Sequence, residues 1–170
     1  MAKWSNLSLR NAIGNMGLGI RIERADLATV VWAAGPVSLF TITGGNIMMN
    51  MLRAEVEVAA IDASAGVPRY GITTAAPYAA ATVYFCAAAT SVATYAVGAS
   101  VTVVGTALNT VALGQITIGP TLIGKAASLI LTPGIVMVTN AVPTTGAATT
   151  IIRHQMWYYP LDDGVNVTVS

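Results

Sequence analysis

Between residues 70 and 124 the sequence contains no charged side chain, and Lys125 alone interrupts a second uncharged run that lasts to Ile152. Half of a 170-residue chain is thus built from Ala, Val, Thr, Gly, Ile and Leu. Charged residues make up 9% of the whole and hydrophobic ones 55%, where soluble domains average about 25% charged. Such a stretch must be covered either by lipid or by protein. Its texture decides between the two. Residues 79–97 are long enough to span a bilayer, but they carry Thr82, Thr90, Ser91 and Thr94, and no Lys or Arg flanks them. Spanning helices are normally anchored and oriented by such flanks. Elsewhere Gly, Pro, Thr or Asn cuts the apolar runs every few residues, which suits strands better than spanning helices. No membrane contact is therefore expected.

Strand signals recur at roughly ten-residue intervals, the pattern of an antiparallel sandwich or barrel. The clearest is residues 47–58. From Leu52 onward, Leu52, Ala54, Val56 and Val58 alternate with Arg53, Glu55 and Glu57, giving one face to a core and one to water. Met48, Met49 and Met51 precede it and read as core packing. Further strands are expected at residues 29–32, 37–43, 101–104, 115–118, 128–131, 135–139, 151–159 and 165–170, with Gly44-Gly45-Asn46 as a turn. Residues 62–78 read as a loop, because Ser64, Gly66, Pro68, Gly71 and Pro77 break any period. Residues 79–97 fit either helix or strand.

The first 27 residues differ from the rest. They hold Lys3, Arg10, Arg21, Glu23, Arg24 and Asp26, together with Gly14, Gly17 and Gly19. They read as an extended N-terminal arm, residues 1–27, leading into a β-rich domain, residues 28–170. The arm's first residues include no apolar stretch of the secretory type. Its glycines lack dinucleotide-binding spacing, so they read as turns.

Chemistry-bearing groups are few. His154 is the only histidine and lies mid-strand between Arg153 and Gln155. Cys86, the only cysteine, sits among apolar residues and reads as an inert buried thiol. Asp162-Asp163 falls in a Pro160-to-Gly164 turn and reads as turn hydrogen bonding. Glu55 and Glu57 share a face with Arg53, which favours ion pairing over a catalytic carboxylate pair. Trp157 and Tyr159 should share a face, with Tyr158 opposite. Net charge is +1 with no basic tract, which gives nucleic acid little to hold. An enzyme is not expected, nor a cofactor or metal.

Two segments carry a resemblance. Leu39-Phe40-Thr41-Ile42-Thr43-Gly44-Gly45-Asn46-Ile47 precedes the alternating strand, and Trp157-Tyr158-Tyr159-Pro160-Leu161-Asp162-Asp163-Gly164 precedes a short Val-rich ending. Together they resemble small β-rich structural proteins of tailed-phage virions, of the type that decorates or cements capsids. That resemblance implies a protein of the virion's capsid surface, made in the host cytoplasm. Its partners would be the major capsid protein and sister copies in a homotrimer. The alternative is a head-fibre, tail or baseplate component binding a host surface through Trp157 and Tyr159. Candidate interface residues are Trp4, Arg10, Arg21, Arg24, Arg53, Glu55, Glu57, Trp157 and Tyr159.

Overall fold

The computed structural model describes residues 19–28, 36–58, 68–74, 82–86, 96–103, 113–115, 128–140 and 151–170. The described residues form eleven strands: β1 (Ile20–Ala28), β2 (Val37–Thr43), β3 (Ile47–Val58), β4 (Pro68–Thr74), β5 (Thr82–Tyr84), β6 (Ser100–Val103), β7 (Leu113–Gln115), β8 (Leu129–Leu131), β9 (Gly134–Asn140), β10 (Ile151–Pro160) and β11 (Asn166–Val169). They make two wholly antiparallel sheets packed face to face, a β-sandwich. One sheet runs β1-β10-β3-β6-β7, with β8 also on β3, and the other runs β11-β2-β9-β4-β5. Strands β6 and β8 share one edge of β3. Leu52 to Glu55 pair with β6, and Ile47 to Met49 pair with β8.

Period-2 patterning places the core. Leu52, Ala54 and Val56 of β3 face inward, as do Ile152, His154, Met156 and Tyr158 of β10. They meet Phe40 and Ile42 of β2, Tyr70 and Ile72 of β4, and Val136 and Val138 of β9. The β3–β10 ladder is in register from Ile152↔Val56 to Trp157↔Met51 and then shifts, so that Tyr158 lies opposite Met49. That irregularity turns Met49 into the core while Met51 joins the outward face. Met49 joins the main core cluster, Met51 is buried as well, at 4% exposure, and Met48 is half-buried. Val58, expected on the inner face, is 40% exposed.

Two expected boundaries are corrected. Residues 20–27, assigned above to the arm, belong to β1, which pairs with β10 from Ile20↔Tyr158 to Ala28↔Ile151. The physical reason is alternation: Ile20 and Ile22 pack on the core while Arg21 and Glu23 point away. The expected loop at 62–78 contains β4, an interior strand held between β9 and β5. Its two breakers are placed where a strand accepts them. Pro68 is its first residue. Gly71 lies opposite Tyr84, where an added Cβ would come within 2.7 Å of the Val83 carbonyl oxygen and 3.0 Å of the Tyr84 ring. The Tyr84 ring thereby covers the glycine, and Arg69 lies 3.6 Å above the ring centre. Within 79–97, Thr82–Tyr84 is strand. The expected strand at 29–32, residues 1–18 of the arm, and most of 104–127 lie outside the described residues.

The Gly44-Gly45-Asn46 turn is not a hairpin. It carries the chain from β2 in one sheet to β3 in the other, and residues 161–165 carry it back from β10 to β11. The two crossovers lie side by side. The Leu161 amide donates to the Asn46 carbonyl at 2.9 Å, and the Asn46 amide donates to Asp162 Oδ2 at 2.7 Å. Residues 44–46 and 161–164 therefore form one interlocked corner.

Candidate interaction surface

The outer face of the β1–β10–β3 sheet carries a chain of ion pairs. Alternation and register bring Arg21 and Glu23 of β1, Arg153 and Gln155 of β10, and Arg53, Glu55 and Glu57 of β3 onto it. Arg21 pairs with Glu23. Arg153 bridges Glu23 (Nε to Oε1, 3.4 Å) and Glu57. Arg53 pairs with Glu55 at 3.4 Å. Gln155 Nε2 donates to Glu23 Oε2 at 3.0 Å. Three guanidinium groups thus meet three carboxylates, and the cluster is neutral. Each carboxylate has a cation beside it, so none is left as a bare acid, base or metal ligand. No group of three or more His, Cys, Asp or Glu side chains suited to a metal occurs among the described residues.

Arg153→Ala removes the bridge between two partly buried glutamates. We expect a loss of about 1 kcal/mol in urea denaturation at low salt, and a clearly smaller loss in about 1 M salt. An equal loss at both salt concentrations would mean that the pairs contribute through packing alone.

The other candidate residues divide three ways. Trp157 is on the same outer face, opposite Arg21 and Met51, yet it is only 7% exposed. Tyr159 is half-buried, while Tyr158 faces the core, where burial pushes its hydroxyl pKa up. Arg24 turns the other way, towards the seam between the sheets. It donates to the carbonyl oxygens of Ser38 on β2 and Ser170 beyond β11. Trp4 and Arg10 lie outside the described residues.

The outer face of the second sheet carries Arg69, over the Tyr84 ring, and is otherwise dressed with hydroxyls. Thr73 and Thr82 pair at 3.1 Å across β4 and β5, Thr41 and the Ser170 hydroxyl pair at 2.6 Å, and Thr139 donates to the Arg69 carbonyl at 3.3 Å. Threonine hydroxyls thus give part of the uncharged half of the chain a polar outer face. At one end of the sandwich an apolar cleft of about 250 Å³ opens between β5 and β8, walled by Ile72, Val83, Phe85 and Leu131. Val83 and Ile130 at its rim are 44% and 70% exposed. Sequence reading missed these two, because an apolar residue in an apolar run gives no sign of facing out.

Cys86 is buried, and burial pushes its thiol pKa up, so it remains a protonated, inert thiol. No helix among the described residues is long and apolar enough to cross a membrane. No family model, no curated protein and no solved structure matches the chain.

Proposed function

We propose that the chain is a virion structural protein, a decoration or cement protein that stabilises a tailed-phage head through contacts with the major capsid protein and with sister copies, as a homotrimer. The observation that carries this reading is the rim of the cleft. Val83 and Ile130 are large, exposed and adjacent to an apolar hollow with no charged lining residue. Contiguous apolar surface of this kind marks an interface, and lasting interfaces are the more hydrophobic ones. The phage-like segments around Gly44 and Asp162 support it, since they form one corner of the sandwich. The neutral ion-pair cluster fits a protein whose work is contact rather than reaction. Host-surface recognition through Trp157 has less support, because a side chain 7% exposed offers little ring face to a sugar.

The test is sedimentation of purified chain with heads assembled without it. Saturable binding in fixed proportion to capsid subunits is expected. A truncation ending at Leu18 keeps β1 whole and should leave the sandwich folded while weakening binding. Chain that stays in the supernatant at every concentration overturns the capsid assignment. Unchanged binding by the truncated chain removes the arm from it.

A further inference from the structure

His154 is the single histidine of the chain and is fully buried, on the inner face of β10. Tyr70, from β4 in the opposite sheet, meets it edge-on, with ring centres 5.9 Å apart and the phenol oxygen 3.3 Å from Nε2. Its register partner on β1 is Arg24, which holds the Ser38 and Ser170 carbonyl oxygens of the other sheet. Its partner on β3 is Ala54, between the inward Leu52 and Val56. Among the described residues, the titratable or charged groups around this part of the core include Tyr70 from β4, Arg24 from β1, Tyr158 from β10 itself, and Cys86, next to Phe85 whose amide donates to the Tyr70 carbonyl. β3 contributes none, and its glutamates lie on the outer face.

The imidazole thus lies one strand in from the β1 edge, against Tyr70 of β4 and beside the Arg24 cation that ties β1 to β2 and to Ser170. We propose that His154 is an acid-sensitive latch: a proton taken up by its imidazole opens the seam between the sheets along β1 and β11. The proton adds to a ring nitrogen, and the imidazolium then lies in an apolar core next to the Arg24 guanidinium. The imidazolium is unsolvated while the seam is closed, and the half-buried Arg24 guanidinium adds repulsion. Opening wets the ring and lets the two charges separate. Both nitrogens of the protonated ring carry hydrogen, so its bond with Tyr70 can then run only from Nε2–H to the phenol oxygen.

Burial and the Arg24 charge hold the closed-state pKa at about 3, partly offset by a hydrogen bond with the Ile152 backbone, against an ordinary value of 6.5. The open state therefore binds the proton more tightly. The closed state keeps its full advantage above the ordinary value and loses it as pH falls towards about 3. Within that window the open population rises about tenfold per pH unit, the slope of one proton.

Hydrogen exchange, corrected for its intrinsic pH dependence, reads this directly. Between about pH 6.5 and about pH 5, a range above the ordinary carboxylate pKa values, protection in β1 and β11 should fall about tenfold per unit while β4 and β9 keep theirs. His154→Gln should abolish the slope. A flat wild-type profile, a parallel fall in all strands, or an unchanged slope in the variant each overturns the latch. Should the variant not fold, the wild-type proton spectrum decides. A lone imidazole signal that does not titrate down to about pH 4 supports the latch, and one that titrates near its ordinary value overturns it.

Discussion

Replacing Phe40 with alanine should cost the fold about 3–5 kcal/mol, the usual range for emptying an aromatic site in a core. Phe40 is fully buried, and its strand neighbours are Val136 on β9 and Val169 on β11. The ladder is irregular between Ser38 and Phe40, and Leu39 beside it is also fully buried. Two successive residues thus point inward at the middle of the sheet, an arrangement that a regular strand does not allow. A buried ring lost from the middle of a packed sandwich leaves a cavity that its neighbours fill only in part. Urea denaturation should show the full loss for Phe40→Ala and a much smaller one for Phe40→Leu. A loss below about 1 kcal/mol for the alanine variant would place the ring at the surface.

Gly44→Ala should be as damaging, for a different reason. Gly44 has φ +78°, and a Cβ there would stand 2.2 Å from the Gly164 carbonyl oxygen and 3.0 Å from its carbon. These are backbone atoms of the companion crossover, fixed by the Leu161–Asn46 and Asn46–Asp162 hydrogen bonds. Gly164 supplies an internal control. Its φ is +82°, but a Cβ added there meets nothing within 4 Å. Gly164→Ala should therefore cost only the backbone strain, about 1 kcal/mol. Gly44→Ala adds the collision and should cost about 3 kcal/mol or more. Equal losses for the two variants would mean that the crossovers do not touch.

The two results address different links between sequence and fold. The β3 pattern was legible because charges alternate with apolar residues, and Arg53, Glu55 and Glu57 lie on the expected face. The endings at 151–159 and 165–170 were legible differently, the first from its clustered aromatics and the second from valines alternating with Asn166, Thr168 and Ser170. Strand β4 was hidden by Pro68 and Gly71, whose tolerance depends on position and on the Tyr84 ring, neither of which is written locally. Strand β1 was hidden because its charges suggested an arm, although Ile20 and Ile22 alternate with them. Gly44-Gly45-Asn46 resembles a hairpin turn, and only the pairing of β3 with β10 makes it a crossover. Of the site, ion pairing around Arg53 was legible, since neighbours on one face must meet. The bridge from Arg153 to Glu23 and Glu57 was not, because it joins strands far apart in sequence.

The uncharged half of the chain is now partly accounted for. Tyr70, Ile72, Phe85, Val101, Val103, Val136 and Val138 fill the core, and threonines cover an outer face. Ile130 and Val83 are left facing outward at the cleft. Our central claim is that this rim is covered by other protein when the chain is in place on a capsid. The most direct measurement uses Ile130→Cys, because the natural thiol of Cys86 is buried. Labelling of the introduced thiol should be fast on the free chain and at least about tenfold slower on chain bound to heads, with unlabelled chain binding normally. Equal labelling rates in the free and head-bound states would contradict the claim.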